Sequence, residues 1–390
     1  MTDFNEIIPR SNTNSIKYDP ARRSMPEDLL PLWVADMDFR TPSCVMDALI
    51  EKCRHGIFGY SDSGKAYFNT LQSWFSRRFN WQVQPEWLVK TPGIVFAVCT
   101  AIRSLTCEGD AVLIQPPVYY PFAAGVRANN RRLVTNELVY DGDGYTIDFE
   151  DFEQKIIDNS VKLFILCSPH NPVGRVWTRD ELTHMGDICL RHGVVVVADE
   201  IHADFVYPGH EHFVFTALKP EFADIAATCT APSKTFNLAG LQVSNIFIAS
   251  NVLRDRFKED LKQCGAGLVN VMGLVACQAA YEGGEAWLEE LKVYLTENLA
   301  FLREFVAARI PGVRLVEPQG TYLVWLDFGG LSLSVDALDD LIVRKAKLWL
   351  DAGTMFGQGG DGFQRINIAC PRAVLKKALE QLEQAVSQQD

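Results

Sequence analysis

Several things are missing from this chain of 390 residues, and each absence removes a class of function. No two of its 10 cysteines form a Cys-x-x-Cys pair, and no compact Cys/His cluster occurs, so neither a disulfide framework nor a zinc site is indicated. No apolar run approaches the roughly 20 residues that span a bilayer. Met1-Thr2-Asp3-Phe4-Asn5-Glu6 lacks the basic start and apolar stretch of a secretory signal, which leads to the expectation of a cytoplasmic protein. Long Lys/Arg blocks are absent, and the formal charge of -12 repels phosphate backbones and anionic lipid, so nucleic acid and membrane are not expected partners. There is no internal repeat and no low-complexity linker. What remains is a globular chain, 48% hydrophobic, long enough for a large core and two lobes.

Its middle alternates short β-branched or apolar runs with stretches of helical pattern, which predicts a parallel sheet covered by helices. Five runs are expected strands: Ala111–Ile114, Val161–Leu166, Val194–Ala198, Ile225–Cys229 and Asn245–Ala249. In open α/β sheets ligands sit beyond the carboxyl ends of the strands, so the residues after these runs matter most. The first run leads to Pro116-Pro117-Val118-Tyr119-Tyr120, a stiff turn presenting aromatic faces. The second leads to Ser168-Pro169-His170-Asn171-Pro172, a rigid turn with an amide at a fixed point. The third ends in Asp199-Glu200-Ile201-His202, and the fourth leads through Thr230-Ala231-Pro232 to Ser233-Lys234-Thr235-Phe236-Asn237. Taken singly, each has a plain explanation: Tyr119 as packing, Asn171 as a turn former, Asp199 as a helix cap, His202 as a core imidazole, Lys234 as a solvated charge. Together they deliver a ring stacker, an amide, an acid and an amine to one sheet edge. Such a set suits a carbonyl cofactor.

These motifs, with Pro31-Leu32-Trp33-Val34-Ala35-Asp36-Met37-Asp38-Phe39 and Gly56-Ile57-Phe58-Gly59-Tyr60, resemble the fold-type I enzymes that use pyridoxal 5′-phosphate, the aminotransferase class I/II superfamily. Within it the chain looks like the cystathionine β-lyase C-S lyases of the MalY/PatB type, over nearly its whole length. The resemblance implies an α/β fold with a large domain, a mainly parallel sheet between helices, and a smaller α+β domain. It also implies roles. Lys234 would bond to the cofactor and then serve as base, Asp199 would keep the pyridine nitrogen protonated, and Asn171 and His202 would serve the phenolate oxygen. Tyr119 would stack on the ring. Thr91-Pro92-Gly93-Ile94-Val95-Phe96 reads as a glycine turn before a helix, and free N–H groups at a helix start attract anions. The phosphate is accordingly expected on Gly93, Ile94 and Val95, with hydroxyls from Thr230 and Ser233. Tyr60 would reach the phosphate of a neighbouring subunit, which implies a homodimer. Where the superfamily often has an arginine, eight residues beyond the lysine, this chain has Gln242.

Among carboxy-terminal cations for a substrate α-carboxylate, Arg365 falls at the family's place and is preferred to Arg372, with the Ala35 backbone and Tyr120 as further substrate contacts. The subgroup motifs favour elimination from cystathionine, cysteine or a related S-substituted amino acid. The products would be a thiol (homocysteine from cystathionine), pyruvate and ammonia, a step in amino-acid metabolism and methionine biosynthesis. Transamination would use the same residues and is the alternative. Proteins of the MalY type also bind and restrain a transcription activator, through a surface that no linear motif marks here. The expected divisions are an amino-terminal arm with part of the small domain (1–48), a large cofactor domain (49–289) and a small carboxy-terminal domain (290–390).

Overall fold

The computed structural model describes residues 2–19, 25–26 and 28–388. Met1, residues 20–24 and 27, and the last two residues lie outside them, and with them those parts of the expected terminal divisions. Seven strands form the central sheet: Leu88–Thr91 (β1), Ala111–Ile114 (β2), Arg132–Thr135 (β3), Leu163–Cys167 (β4), Val195–Asp199 (β5), Ala226–Thr230 (β6) and Ser244–Phe247 (β7). Their spatial order is β1-β7-β6-β5-β4-β2-β3. Only β7 runs against the others, antiparallel to both β6 and β1. Both faces are covered, which explains the unbroken apolar runs. In β2, Val112 and Ile114 join one core while Ala111 and Leu113 join another.

All five expected runs are strands of this sheet, displaced by at most two residues at their ends. The two edge strands, β1 and β3, were not expected. Each is short and carries a cation, Lys90 or Arg132, on a partly covered surface. The helix Ile94–Leu105 (α1) follows β1 and buries Ile94, Ala97, Val98, Ala101, Ile102 and Leu105, a spacing of three and four that keeps one face on the sheet. That packing holds its first turn beside the carboxyl ends of the strands.

A second sheet of four antiparallel strands, Arg314–Val316 (β8), Leu323–Asp327 (β9), Asp351–Ala352 (β10) and Phe363–Asn367 (β11), has the order β8-β9-β11-β10. The 25-residue helix Glu285–Arg309 carries the chain towards it without a break at residue 289. Residue 48 likewise lies within the helix Ser43–His55.

The segment Leu32–Phe39 bridges the two sheets. Asn367 of β11 donates from its Nδ2 to the carbonyls of Val34 (2.8 Å) and Asp36 (2.7 Å). From the other side Asn237, just after the Lys234 turn, accepts from the Met37 N–H (3.0 Å) and donates to the carbonyls of Met37 (3.0 Å) and Phe39 (2.9 Å). Its φ of 58° is in the left-handed region, where asparagine is tolerated. Fully buried Lys17 pairs with Asp38 at 2.9 Å, and Arg10 pairs with Asp36 (2.8 Å) and Asp38 (2.7 Å). Asn237→Ala removes three hydrogen bonds and leaves a β-carbon at positive φ, so urea unfolding should show a loss of about 2–4 kcal/mol.

Candidate active site

Five strand endings and one strand beginning meet in a cleft of about 400 Å³, within the size range of small-molecule sites. Gly93, Ile94, Val95 and Phe96 follow β1, Tyr119 follows β2, Asn171 follows β4, Asp199 and His202 end and follow β5, and Ser233 and Lys234 follow β6. Because β7 is reversed, its start brings Gln242, Val243 and Ser244 to the same edge. Ala35 closes the wall from the bridging segment.

Asp199 stands opposite Cys167 of β4 and Cys229 of β6 in the sheet register. Cross-strand neighbours share a face, so two uncharged thiols flank the carboxyl group. Its Oδ1 accepts from the Ile201 N–H at 3.1 Å. Burial raises its pKa from 3.8 to about 7, against the smaller lowering effects of that hydrogen bond and of Lys234. A buried acid held this way gains from a nearby cation. Lys234 shows the opposite effect: burial lowers its pKa from 10.5 to about 8, opposed by Asp36 and Asp199 and assisted by Arg365. Its Nζ donates to the Ala35 carbonyl at 2.7 Å, and that oxygen also accepts from the Tyr322 hydroxyl at 3.2 Å. His202 is pushed down to about 3 by burial first and then by Lys234 and Arg365, so its ring is neutral. Its Nδ1 is buried with no hydrogen-bond partner among the described residues.

Asn171 is oriented by its neighbour. Arg365 Nη1 donates to Asn171 Oδ1 at 2.9 Å, which fixes the amide and leaves its NH₂ as the donor end. At the other end of the cleft, α1 starts with no side-chain cap, so its first backbone N–H groups lack intrahelical acceptors. A β-carbon on Gly93, whose φ is 177°, would meet no protein atom within 4 Å. The fold therefore does not require glycine there, and its effect is to let a ligand approach the backbone closely.

Pyridoxal phosphate fits these groups: an amine neutral near pH 8, an acid in need of a cation, an amide donor end, a neutral imidazole and an uncapped helix start. Ser233 also lines the wall. Thr230 does not, and its assignment to the phosphate is corrected. It lies on the opposite face of β6, its hydroxyl donating to the Asn245 carbonyl at 2.8 Å, beside a separate small cavity. Tyr120 is also outside the lining, its ring packed on Tyr119 and Phe356. Tyr60 is fully exposed and away from this protomer's cleft. Arg365 is buried behind Asn171, and Arg372 is distant in role, its Nε bound to Asn298 at 2.6 Å. Gln242 lines the cleft, where Lys234 is the only cation of the wall among the described residues.

Sequence reading missed Cys167, Tyr322 and Asp351, the last an ion-pair partner of Arg365. Nothing local marks them, since each lies in or beside an apolar run and gains its role only from what packs against it. Among the described residues no group of three or more His, Cys, Asp or Glu could hold a metal ion, and no helix is long and apolar enough to cross a membrane.

The family model Aminotransferase class I and II matches residues 27–382. Cystathionine beta-lyase PatB of Bacillus subtilis is 43% identical over 386 residues, covering 99% of this chain and 100% of that protein. Cystalysin of Treponema denticola, whose crystal structure contains pyridoxal 5′-phosphate, is 36% identical with a TM-score of 0.96 over 100% of both chains. The pyridoxal-phosphate-bound C-S lyase of Staphylococcus hominis is 33% identical, TM-score 0.93, over 99% of this chain and 98% of that one.

Two outcomes follow from the electrostatics. If pyridoxal phosphate attaches at Lys234 with ionised Asp199 facing its ring nitrogen, the rate of attachment to the cofactor-free protein should fall as pH drops through about 8 and again through about 7. Stopped-flow absorbance against pH measures this. Gln242→Arg adds a cation to the wall, and dialysis should show the cofactor lost about tenfold more slowly, as expected for one charge-assisted hydrogen bond.

Proposed function

The chain belongs to the aminotransferase class I and II family, and we propose that within it the protein is a pyridoxal-phosphate-dependent C-S lyase. It takes cystathionine, cysteine or a related S-substituted amino acid and releases a thiol, pyruvate and ammonia. The observation that supports this reading best is the full-length likeness to a cystathionine β-lyase, joined to a cleft that offers each group the cofactor needs.

When bound, the cofactor withdraws electrons from the substrate's α-carbon and makes its proton removable. The residues do the rest. Asp199 supplies the negative charge that keeps the pyridine nitrogen protonated, while the Asn171 amide donates to the ring oxygen and Tyr119 covers a ring face. Gly93, Ile94, Val95 and Ser233 hold the phosphate with neutral donors. Arg365 binds the α-carboxylate, with the Ala35 backbone as a further substrate contact. Lys234, with its pKa near 8, is neutral in enough molecules at physiological pH to take the α-proton. Its ammonium then gives a proton to the sulfur as the carbon–sulfur bond breaks, and water completes the release of pyruvate and ammonia. The Ala35 carbonyl, 2.7 Å from Lys234 Nζ, supports the amine between these two transfers.

The active unit in this proposal is a homodimer. Met46, Ile50, Ile57, Phe58 and Tyr60 expose apolar side chains on one protomer, a pattern suited to burial against a second copy, with Tyr60 reaching that copy's phosphate. Lys90 pairs with Asp62 and holds the base of this loop to β1. The large cofactor domain spans 49–289 and the small domain 290–390 with the amino-terminal arm, and the enzyme is placed in the cytoplasm.

Incubation of the cofactor-loaded protein with cystathionine should give homocysteine, pyruvate and ammonia in equal amounts. Amino-group exchange with a 2-oxo acid and no pyruvate would mean an aminotransferase instead. Lys234→Ala should abolish the visible absorption of the covalently held cofactor and lower turnover by at least about a thousandfold, the scale of losing a general acid–base group.

A further inference from the structure

Arg365, assigned above to the substrate's α-carboxylate, already has a carboxylate beside it. Asp351 and Arg365 are register partners across β10 and β11, both buried, with Arg365 Nη2 bonded to Asp351 Oδ2. Nη2 also donates to the Trp33 carbonyl at 2.8 Å, and Nη1 to Asn171 Oδ1 at 2.9 Å. The ring of Phe356 lies 4.9 Å from the guanidinium carbon. One short segment, 351–356, therefore supplies both the anion and the ring that fix this arginine. The Nε is buried with no hydrogen-bond partner among the described residues.

A buried ion pair is weak evidence of stabilisation, because its desolvation cost offsets its attraction. Its effect on recognition is more definite. A free carboxylate approaching Arg365 meets a pair of balanced charge and not a bare cation, and the like charge of Asp351 opposes it. Resting on the assignment of Arg365 to the α-carboxylate, we propose that Asp351 is a positioning and specificity-determining residue. It holds Arg365 in place and tempers its charge, so every carboxylate is bound less tightly than a bare arginine would bind it, and compounds that offer a carboxylate alone, without an amine to attach at the cofactor, are released readily. Such compounds include the product pyruvate and the 2-oxo acids that would serve as amino acceptors.

Asp351→Asn keeps an oxygen for Nη2 and removes the charge. The cofactor-loaded enzyme is titrated with 2-methylalanine, which has no α-hydrogen and cannot react further, following the visible absorption of the cofactor. Propionate serves as competitor and 2-methylalaninamide as the ligand without a carboxylate. The variant should bind 2-methylalanine and propionate roughly five- to tenfold more tightly, with the amide within about twofold of its wild-type value. A wild-type response with equal or weaker carboxylate binding in the variant overturns this inference alone. Equal binding of 2-methylalanine and its amide by the wild type overturns the assignment of Arg365 beneath it. If Asp351→Asn does not retain cofactor, Asp351→Ser is measured in the same way and carries the same outcomes.

Discussion

A buried carboxyl group with no ion-pair partner among the described residues governs this molecule. Asp199 sits at the end of the central strand, between two thiols, where burial raises its pKa to about 7. Lys234 is close enough to lower that value, yet its amine is directed to the Ala35 carbonyl. Ionised Asp199 is thus stabilised most by a cation that arrives with the cofactor. Burying an unpaired acid is costly, and such cost is commonly found at functional sites, where it prepares the site for its ligand.

The other groups are arranged around the same edge by packing. Doubly covered strands fix where their last residues stand, and the reversed strand β7 adds its first residues to theirs. The bridging segment Leu32–Phe39 is held by Asn237 on one side and Asn367 on the other, so Ala35 meets Lys234 at a set distance. Arg365 links the two lobes through one guanidinium, reaching Trp33, Asn171 and Asp351 together. A change in the small sheet would therefore reach the Asn171 amide through Arg365, a single side chain.

Much of this was legible in the sequence, and the failures have physical causes. The β-branched runs located five strands, and the unusual chemistry after four of them located the cleft. The edge strands gave no such signal, because a four-residue strand with one exposed face resembles a loop. Thr230 was misplaced because β6 is buried on both sides: its residues, Ala226-Ala227-Thr228-Cys229-Thr230, are small or apolar at every position, and no alternation reveals which face the cleft occupies. Asp351 was invisible for another reason. An acid in a two-residue strand acquires meaning only when the register with β11 puts it opposite Arg365.

The central claim is that Asp199 keeps the pyridine nitrogen of bound pyridoxal phosphate protonated. Nitrogen-15 magnetic resonance of protein loaded with ring-labelled cofactor, recorded for the wild type and for Asp199→Asn at pH 8, addresses it directly. A pyridinium-type shift is expected in the wild type and a neutral pyridine-type shift in the variant. The same shift in both proteins would contradict it.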